Sequence, residues 1–304
     1  GTAVNMVKTH LGWSPGRDLH ALGASLHGAG LVGTKTWTHT PQGATPLLVL
    51  FNSDDGSLVA IIEAFALGQL RTSGISAVAA DHLADPTADR LGIIGTGKQA
   101  LGQVAAVAAV RPIKSVQVFS RDPDRRGAFA ERVHSALGLA ATAVESVEEA
   151  VADAGVVTLV TRATEPFLDA AMLRPGTHVN AVGAIAEDRM EFNPAVLDRC
   201  GVVAVDSLPQ AKKLSRELME HYGPDEAAWS EVIPLHSLVA SHARRPEGAD
   251  LTLFKALGMG ISDVTLGLAC LEGARQRELG RHLPHPTRAQ PRLRPRDHLA
   301  KGSA

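Results

Sequence analysis

The sequence is poor in features that would each point to a particular class of protein. Its 304 residues include two cysteines and 4% aromatic residues. Cys200 and Cys270 lie far apart and match no metal or disulfide spacing. No histidine pair shows metal-ligand spacing either, so we expect no metal site.

Excess charge and long apolar runs are also lacking. The formal net charge of −2 gives no reason to expect a nucleic-acid or membrane partner. We find no signal peptide and no apolar run of the ~18 residues that a membrane span needs. We therefore expect a reduced, cytoplasmic protein.

What the chain does contain is typical of an α/β enzyme. Hydrophobic residues make up 45% of the sequence, with Ala, Val, Leu and Gly dominating. Short, almost wholly apolar segments at 156–160, 178–182 and 201–205 predict strands of a parallel sheet that is covered on both faces. The fold class expected is a Rossmann-type doubly wound sheet joined to a split α/β domain.

Turn signals and periodicity suggest how the chain is divided. Segments 46–51 and 57–62, joined by Asn52-Ser-Asp-Asp-Gly56, predict an antiparallel hairpin, and a helix is expected from Phe65 to Leu83. Further helices are expected over 212–222 and 262–275. The expected domains are a discontinuous one of residues 1–85 and 251–281, a dinucleotide-binding one of residues 86–250, and a disordered tail of residues 282–304.

The strongest motif lies between Arg90 and Ala100, where an apolar strand runs into glycines spaced G-x-G-x-x-A. Gly95 permits the tight turn, Gly97 lets the backbone approach a pyrophosphate, and Ala100 keeps helix and strand close. The amides at the start of the helix then face the phosphates. A second apolar strand, 115–119, follows after one helix length, so the unit is βαβ and predicts a dinucleotide site.

The end of that second strand indicates the cofactor. Sites specific for NAD usually carry an acidic residue there, whereas this chain has Ser120-Arg121. Hydroxyl and guanidinium groups suit a 2′-phosphate, which favours NADP(H). NAD(H) remains possible, because Asp122 is available to turn toward a ribose.

Two cationic residues of the N-terminal region are candidates for chemistry. Lys35 stands at a strand end beside Trp37, where it can bind a substrate carboxylate or polarise an imine; the alternative is an ordinary surface lysine. Arg71 opens a segment of small helical residues, where the helix dipole disfavours a cation. We interpret it as an anion-binding residue, with a structural interdomain salt bridge as the alternative.

Six motifs together resemble the ornithine cyclodeaminase/μ-crystallin family, over roughly Leu31 to Leu268. They are Gly-Thr-Lys35, Leu-Arg71-Thr72, Leu91 to Ala100, Val-Phe-Ser-Arg121, Pro175 to Gly183 and Thr252 to Gly258. The resemblance implies a homodimer and hydride transfer between a nicotinamide and the Cα of an amino or imino acid.

The resemblance also implies roles for individual residues. Lys35 and Arg71 would bind the substrate carboxylate and orient the imine. The cofactor would be held at its pyrophosphate by Thr72 with Gly95, Thr96, Gly97, Lys98 and Gln99, along its length by Thr161, Val182 and Gly183, and beside the nicotinamide by Ala256 and Leu257. Lys8 is a possible counterpart of a further basic residue that contacts the carboxylate in the family.

One departure from the family concerns Ile185. Members that cyclise ornithine, and related alanine dehydrogenases, carry an aspartate two residues beyond the glycine that matches Gly183, facing the substrate amine. An isoleucine neither accepts a proton nor stabilises an ammonium group, and a carboxylate at Glu187 or Asp188 would point elsewhere. The leading hypothesis is therefore an NADPH-preferring reductase of an α-imino acid or cyclic ketimine, or an amino-acid dehydrogenase. A cyclodeaminase and a non-catalytic nucleotide-binding protein are the alternatives.

Overall fold

The computed structural model describes residues 3–287 and 289–291, which form two sheets and eight α-helices. The first sheet has six antiparallel strands and lies in the N-terminal region. They are β1 (Val4–Asn5), β2 (Thr9–Ser14), β3 (Arg17–Leu26), β4 (Leu31–Thr40), β5 (Gly43–Asn52) and β6 (Leu58–Glu63). Their order is β1-β3-β4-β5-β6, and β2 also pairs with β3.

The second sheet has eight strands, all parallel. They are β7 (Arg90–Ile94), β8 (Ser115–Phe119), β9 (Ala140–Ala143), β10 (Val156–Leu159), β11 (His178–Ala181), β12 (Cys200–Val205), β13 (Val232–Pro234) and β14 (Leu251–Lys255). The order is β13-β12-β14-β11-β10-β7-β8-β9. The chain adds β8 and β9 on one side of β7 and then continues with β10 on its other side, so the strand order reverses between β7 and β10. Ligands of open parallel sheets bind at such a switch point, outside the carboxyl ends of the strands.

Helices cover both sheets. They are α1 (Phe65–Leu83), α2 (Ala100–Val110), α3 (Pro123–Leu137), α4 (Val147–Val151), α5 (Leu208–Leu214), α6 (Arg216–Tyr222), α7 (Leu235–Ala240) and α8 (Gly260–Gln276). The long helix α1 packs against α2 and β11 on one side and against α8 on the other. It therefore joins the two halves of the molecule.

The two faces of the antiparallel sheet differ. On the inner face, Leu48 and Leu50 are fully buried and pack with Val264 of α8. The outer face leaves apolar side chains exposed from five strands, namely Leu11, Leu19, Val32, Leu47 and Ile61. No described residue covers them, because both packed helices lie on the inner side.

The parallel sheet, the hairpin of β5 and β6, and α1 confirm the sequence predictions. The domain boundary at 251 was wrong: β14 pairs with β11 and β12 in the middle of the parallel sheet, so the chain leaves that sheet only afterwards, and α8 packs on the antiparallel sheet. An apolar strand reads the same in either sheet, which is why the sequence did not place it.

Two smaller differences have local causes. The helix expected over 212–222 is broken at Ser215, whose hydroxyl caps the N-terminus of α6 by accepting from the Leu218 amide. The strands β1, β2 and β3 were not predicted. Much of the tail expected over 282–304 lies outside the described residues, and 281–287 contain neither helix nor strand. Among the helices described, none is long and apolar enough to span a membrane.

Candidate active site

A cavity of about 520 Å³ opens at the carboxyl ends of β7, β10, β11 and β14 and is closed on the far side by α1 and β4. Most of the expected cofactor residues line it: Thr72, Gly97, Lys98, Gln99, Thr161, Val182, Gly183, Ala256 and Leu257. Arg71 also lines it. The structure thus brings together residues from five segments that are far apart in the sequence.

The glycine turn after β7 has the form that a dinucleotide site requires. Gly95 has φ +109°, and a Cβ there would lie 2.7 Å from the Val160 carbonyl oxygen. At Gly97 a Cβ would meet nothing within 4 Å, so the backbone is open to a ligand. Gln99 caps α2 and its buried Oε1 has no hydrogen-bond partner among the described residues. Thr96 lies in the turn between the two glycines.

The end of β8 carries the two residues expected to read the ribose. Ser120 donates a hydrogen bond to the Asp122 carbonyl, at 3.1 Å, and Arg121 is exposed. The Asp122 carboxylate accepts from the amides of Asp124 and Arg125 and caps α3. Because this carboxylate is used by the helix, it is not turned toward a ribose.

Thr72 lines the cavity with its hydroxyl already engaged. It donates to the Gly68 carbonyl of the preceding turn at 2.8 Å. The position of both Arg71 and Thr72 in the helix was misjudged: α1 begins at Phe65, so Arg71 lies in its second turn and the helix dipole does not explain its charge.

The carboxylate of Glu191 holds two of the cofactor-facing loops. It accepts from the Thr161 amide at 2.6 Å and hydroxyl at 2.8 Å, and from the amides of Gly183 and Ala184 at 2.8 and 2.9 Å. Burial raises the pKa of Glu191, and these donors and Lys255 oppose that rise. The loops after β10 and β11 are therefore joined through one side chain.

A second buried acid fixes the loop after β14. Both oxygens of Asp206 accept from the Leu257 amide, at 2.9 and 3.1 Å, and Oδ2 also accepts from Gly258 at 2.7 Å. Burial raises the pKa of Asp206, and these backbone donors oppose it. Gly258 in turn lies against the guanidinium of Arg71. Asp206 thereby links the nicotinamide side of the cavity to its cationic side.

Lys35 and Arg71 share one buried partner, Asp263 of α8. Lys35 Nζ donates to Asp263 Oδ1 at 2.5 Å, and Arg71 Nε lies 3.2 Å from the same oxygen. Lys35 is 4% exposed and Asp263 is fully buried. Lys35 is thus not a surface lysine, and Arg71 pairs with α8 across the N-terminal half of the fold.

The cluster retains capacity to bind an anion. Lys35 uses one of its three N–H groups on Asp263, whereas Arg71 Nε lies within ion-pair distance of Asp263 without donating a hydrogen bond to it, and no described residue accepts from its terminal nitrogens, which suit a carboxylate. Burial, together with Arg71, lowers the pKa of Lys35 to about 8, although Asp263 opposes the shift. Trp37 packs beside it, with its ring centroid 5.2 Å from Lys35 Nζ.

A second lysine, Lys8, lies near the same tryptophan as Lys35. Lys8 Nζ lies 5.9 Å from the Trp37 ring centroid. Burial and the nearby guanidinium groups of Arg71 and Arg189 lower the pKa of Lys8. Lys8 therefore stands beside the cluster, and its match to the further basic residue of the family stays a prediction.

The histidines are clustered, contrary to the sequence reading. Strand pairing places His10, Asp18 and His20 with their ligand atoms within 4.8 Å of one another. His10 Nε2 and Asp18 Oδ1 are 2.7 Å apart, while the rings of His10 and His20 stack at 4.8 Å. Cross-strand register, which sequence spacing does not reveal, brings them together.

The loop after β11 presents one apolar and one cationic side chain to the cavity. Ile185 and Arg189 line it, whereas Glu187 and Asp188 are exposed and do not. The two carboxylates therefore do not replace the aspartate of the cyclodeaminases. Sequence reasoning did not identify Asp263, Glu191 and Asp206, nor His39, Arg162 and Arg189, which also line the cavity.

Comparison with known proteins places the chain among nicotinamide-dependent enzymes. Residues 4–277 match the model of the ornithine cyclodeaminase/mu-crystallin family. The ketimine reductase mu-crystallin of Mus musculus is 33% identical over 71% of this chain and 66% of its own length.

Solved structures are similar over almost the whole chain. The Thermococcus litoralis Δ1-pyrroline-2-carboxylate reductase in complex with NADH and L-proline has a TM-score of 0.86 at 25% identity, covering 93% of this chain and 90% of that one. An archaeal alanine dehydrogenase dimer with bound NAD has a TM-score of 0.84 at 25% identity, covering 93% and 89%. The chain belongs to the ornithine cyclodeaminase/mu-crystallin family.

Proposed function

We propose that the protein is an NAD(P)H-dependent reductase of an α-imino acid or cyclic ketimine, the same reaction as an amino-acid dehydrogenase in reverse. The observation that carries this is the meeting of two features in one cavity. The glycine turn of a dinucleotide site lies on one side, and Arg71, which shares the buried Asp263 with Lys35, lies on the other. The similar proteins named for ketimine and pyrroline-2-carboxylate reduction support the proposal.

The residues present fit a nicotinamide dinucleotide. The open space over Gly97 and the unpartnered Gln99 Oε1 suit a pyrophosphate and its bound water, and Leu257 and Val182 offer an apolar wall to a nicotinamide ring. When bound, the reduced cofactor supplies the hydride that converts a C=N carbon into a CH–N carbon.

The chain's own residues position the substrate. Lys35 and Arg71 bind the carboxylate next to the imine carbon, and Asp263 holds the two cations at a fixed separation. Ile185 and Leu257 exclude water from the reacting carbon. A protonated lysine or arginine has no lone pair to accept a proton, so the cation pair serves binding rather than deprotonation.

The preferred cofactor in this proposal is NADP(H). Arg121 is exposed at the position of a 2′-phosphate, and Asp122 is committed to capping α3. Replacing Arg121 with alanine should raise the KM for NADPH at least tenfold more than the KM for NADH. Equal changes, or a wild-type preference for NADH, would remove the assignment.

Reduction is favoured over cyclodeamination by Ile185. Ornithine cyclisation requires a distal amine to be held and kept nucleophilic, and the side chain at this wall of the cavity is apolar. Purified protein incubated with ornithine and catalytic NAD should form no proline. Multiple-turnover proline formation would favour the cyclodeaminase.

The direct test is a panel of substrates. The panel contains cyclic imines and 2-oxo acids mixed with ammonia or methylamine. Turnover of each is measured as the oxidation of NADPH or NADH. We expect oxidation that depends on the amine and leaves an amino acid identifiable by mass. Tight NADPH binding without turnover on any member would instead indicate the non-catalytic nucleotide-binding protein.

We further propose a homodimer formed through the outer face of the antiparallel sheet. Leu47 is 43% and Ile61 is 53% exposed there, in a continuous apolar surface. The similar alanine dehydrogenase is a dimer. Sedimentation of the wild type should give a dimer, and Leu47→Asp with Ile61→Asp should give a monomer. Leu279→Asp, at an exposed position beyond α8, is the control; a monomeric wild type would contradict the proposal.

A further inference from the structure

The cavity contains more positive charge than one substrate carboxylate needs. Arg71, Lys98, Arg162 and Arg189 line it, together with His39 of β4. None of the described residues that line it is an aspartate or a glutamate. Asp263 balances the charge of Arg71, whereas Lys98, Arg162 and Arg189 form no ion pair with a described carboxylate, and a cleft lined by one sign of charge attracts anionic ligands.

Three of these cations already have an anion within the proposed function. Lys98 belongs to the glycine turn and Arg162 follows Thr161, so both adjoin the pyrophosphate region. Arg71 acts with Lys35 on the carboxylate next to the imine. Arg189 remains, and no pyrophosphate or first carboxylate accounts for it.

Arg189 is held at the substrate end of the cavity. It follows a turn in which its amide donates to the Ala186 carbonyl at 3.0 Å, and it shares the cavity wall with Ile185. Among the described residues, no carboxylate lies within ion-pair distance of its guanidinium. Lys8 and Lys35 lie near the same ring, with Nζ 5.9 and 5.2 Å from the Trp37 centroid, so Lys8 is close to the first carboxylate site. The guanidinium groups of Arg71 and Arg189 both lower the pKa of Lys8.

We propose that the substrate is an imino acid with a second, distal carboxylate, and that Arg189, with Lys8 beside it, binds that carboxylate. A guanidinium fork matches a carboxylate with two parallel hydrogen bonds. This inference rests on the proposed reductase function and names its substrate class. The carbon of the protonated imine (iminium) gains the hydride, the π-electron pair of the C=N bond becomes the lone pair of the amine nitrogen, the nicotinamide is oxidised, and both carboxylates are unchanged; the amine then takes up a proton from solvent. The product is an amino dicarboxylic acid.

The first experiment compares substrates on the wild-type protein. Imines formed with ammonia or methylamine from oxaloacetate and 2-oxoglutarate are compared with those from pyruvate and 2-oxobutyrate, with NADPH oxidation as the readout. We expect a kcat/KM at least tenfold higher for one of the dicarboxylates. Preference for a monocarboxylate or a cyclic imine would overturn the inference and leave the reductase proposal standing. No reduction of any imine would overturn both.

The second experiment tests Arg189 itself. Arg189→Ala should lower the ratio of kcat/KM for the dicarboxylate to that for the monocarboxylate at least tenfold, and Arg189→Lys should keep part of the preference. Asp188→Asn, on the exposed side of the same loop, is the matched control and should leave the ratio unchanged. An unchanged ratio in Arg189→Ala, or a change confined to the KM for NADPH, would overturn the assignment.

A binding measurement separates recognition from turnover. Calorimetric titration of the enzyme–NADP⁺ complex should show tighter binding of aspartate or glutamate than of alanine. Arg189→Ala should abolish this difference in affinity. Arg189→Gln, which keeps a polar side chain of similar length, serves where the alanine variant folds poorly. Equal affinity of the wild type for all three amino acids would contradict the proposal.

Discussion

The two walls of the cavity differ in the chemical groups that they present to it. The wall from the parallel sheet is largely backbone: the Gly95 turn and the loops carrying Thr161, Gly183 and Leu257, held from behind by buried carboxylates. The opposite wall consists of charged side chains, with Lys35 and Arg71 gathered on Asp263. The charged side chains that the N-terminal region contributes to the site all lie on this second wall.

This difference assigns separate tasks to the two walls. Backbone amides and small residues read what all nicotinamide dinucleotides share, their pyrophosphate and ring. In the proposed function, Lys35 and Arg71 bind the first substrate carboxylate, and neither belongs to the glycine turn that would hold the cofactor. Gly258, held by Asp206 and packed on Arg71, is where the two walls touch.

The largest effect should come from breaking the side-chain wall. Lys35→Ala removes a cation from the substrate carboxylate and leaves Asp263 with Arg71 alone. Losing one partner of a buried charge-assisted contact costs ~2–5 kcal/mol, or roughly 30- to 4,000-fold in kcat/KM. Steady-state kinetics of imine reduction measures this loss of kcat/KM. Lys114→Ala, at an exposed surface lysine, is the control.

A double variant separates binding from folding in that cluster. Lys35→Ala should lower the melting temperature, because a buried carboxylate loses a partner. Adding Asp263→Asn should restore part of the stability without restoring activity. Recovery of activity in the double variant, or near-normal turnover in Lys35→Ala, would show that Lys35 serves the fold only.

The backbone wall should respond to Glu191→Gln with weaker cofactor binding. Four donors converge on two carboxylate oxygens, and a glutamine presents an NH₂ group to one pair of them. Loss of charge-assisted bonds worth about 1.5–3 kcal/mol predicts at least tenfold weaker NADPH binding. Fluorescence titration measures it, and the exposed Glu187→Gln is the control. Unchanged affinity would mean that Glu191 does not position the cofactor loops.

The backbone wall was the more predictable of the two. Its glycine turn, strands and cofactor residues lie in local motifs, where spacing along the chain fixes spacing in space. The end of β8 likewise carried its own signal in Ser120 and Arg121.

The side-chain wall depended on contacts distant in the sequence. Lys35 and Asp263 are 228 positions apart, and nothing near Asp263 marks it as a partner. The histidines around Asp18 meet only through strand register, and β14 was assigned to the wrong sheet for the same reason. Local pattern does not specify which strand an apolar segment pairs with.

The pH dependence of kcat/KM should sharpen the account of the cationic wall. The pKa of Lys35 lies near 8, below its ordinary 10.5, so its charge is lost as the pH rises through that value. We expect kcat/KM to fall above about pH 8. Because the carboxylate of Asp263 raises the pKa of Lys35, Asp263→Asn should move the decline to lower pH. The exposed Asp153→Asn is the control, and an unshifted profile in Asp263→Asn would contradict the coupling.

The smallest effect is expected at Asp122, at the end of β8. Its substitution tests whether this side chain caps α3 or binds the ribose of the cofactor. Asp122→Ala removes the acceptor for the Asp124 and Arg125 amides, and loss of an N-cap costs ~1 kcal/mol. The melting temperature should fall by a few degrees, and Asp122→Asn, which also caps well, should restore it. The KM values for NADH and NADPH should keep their ratio in both variants, because the carboxylate faces α3. A selective loss of NADH use in Asp122→Ala would instead place this side chain on the ribose and remove the structural basis for preferring NADP(H).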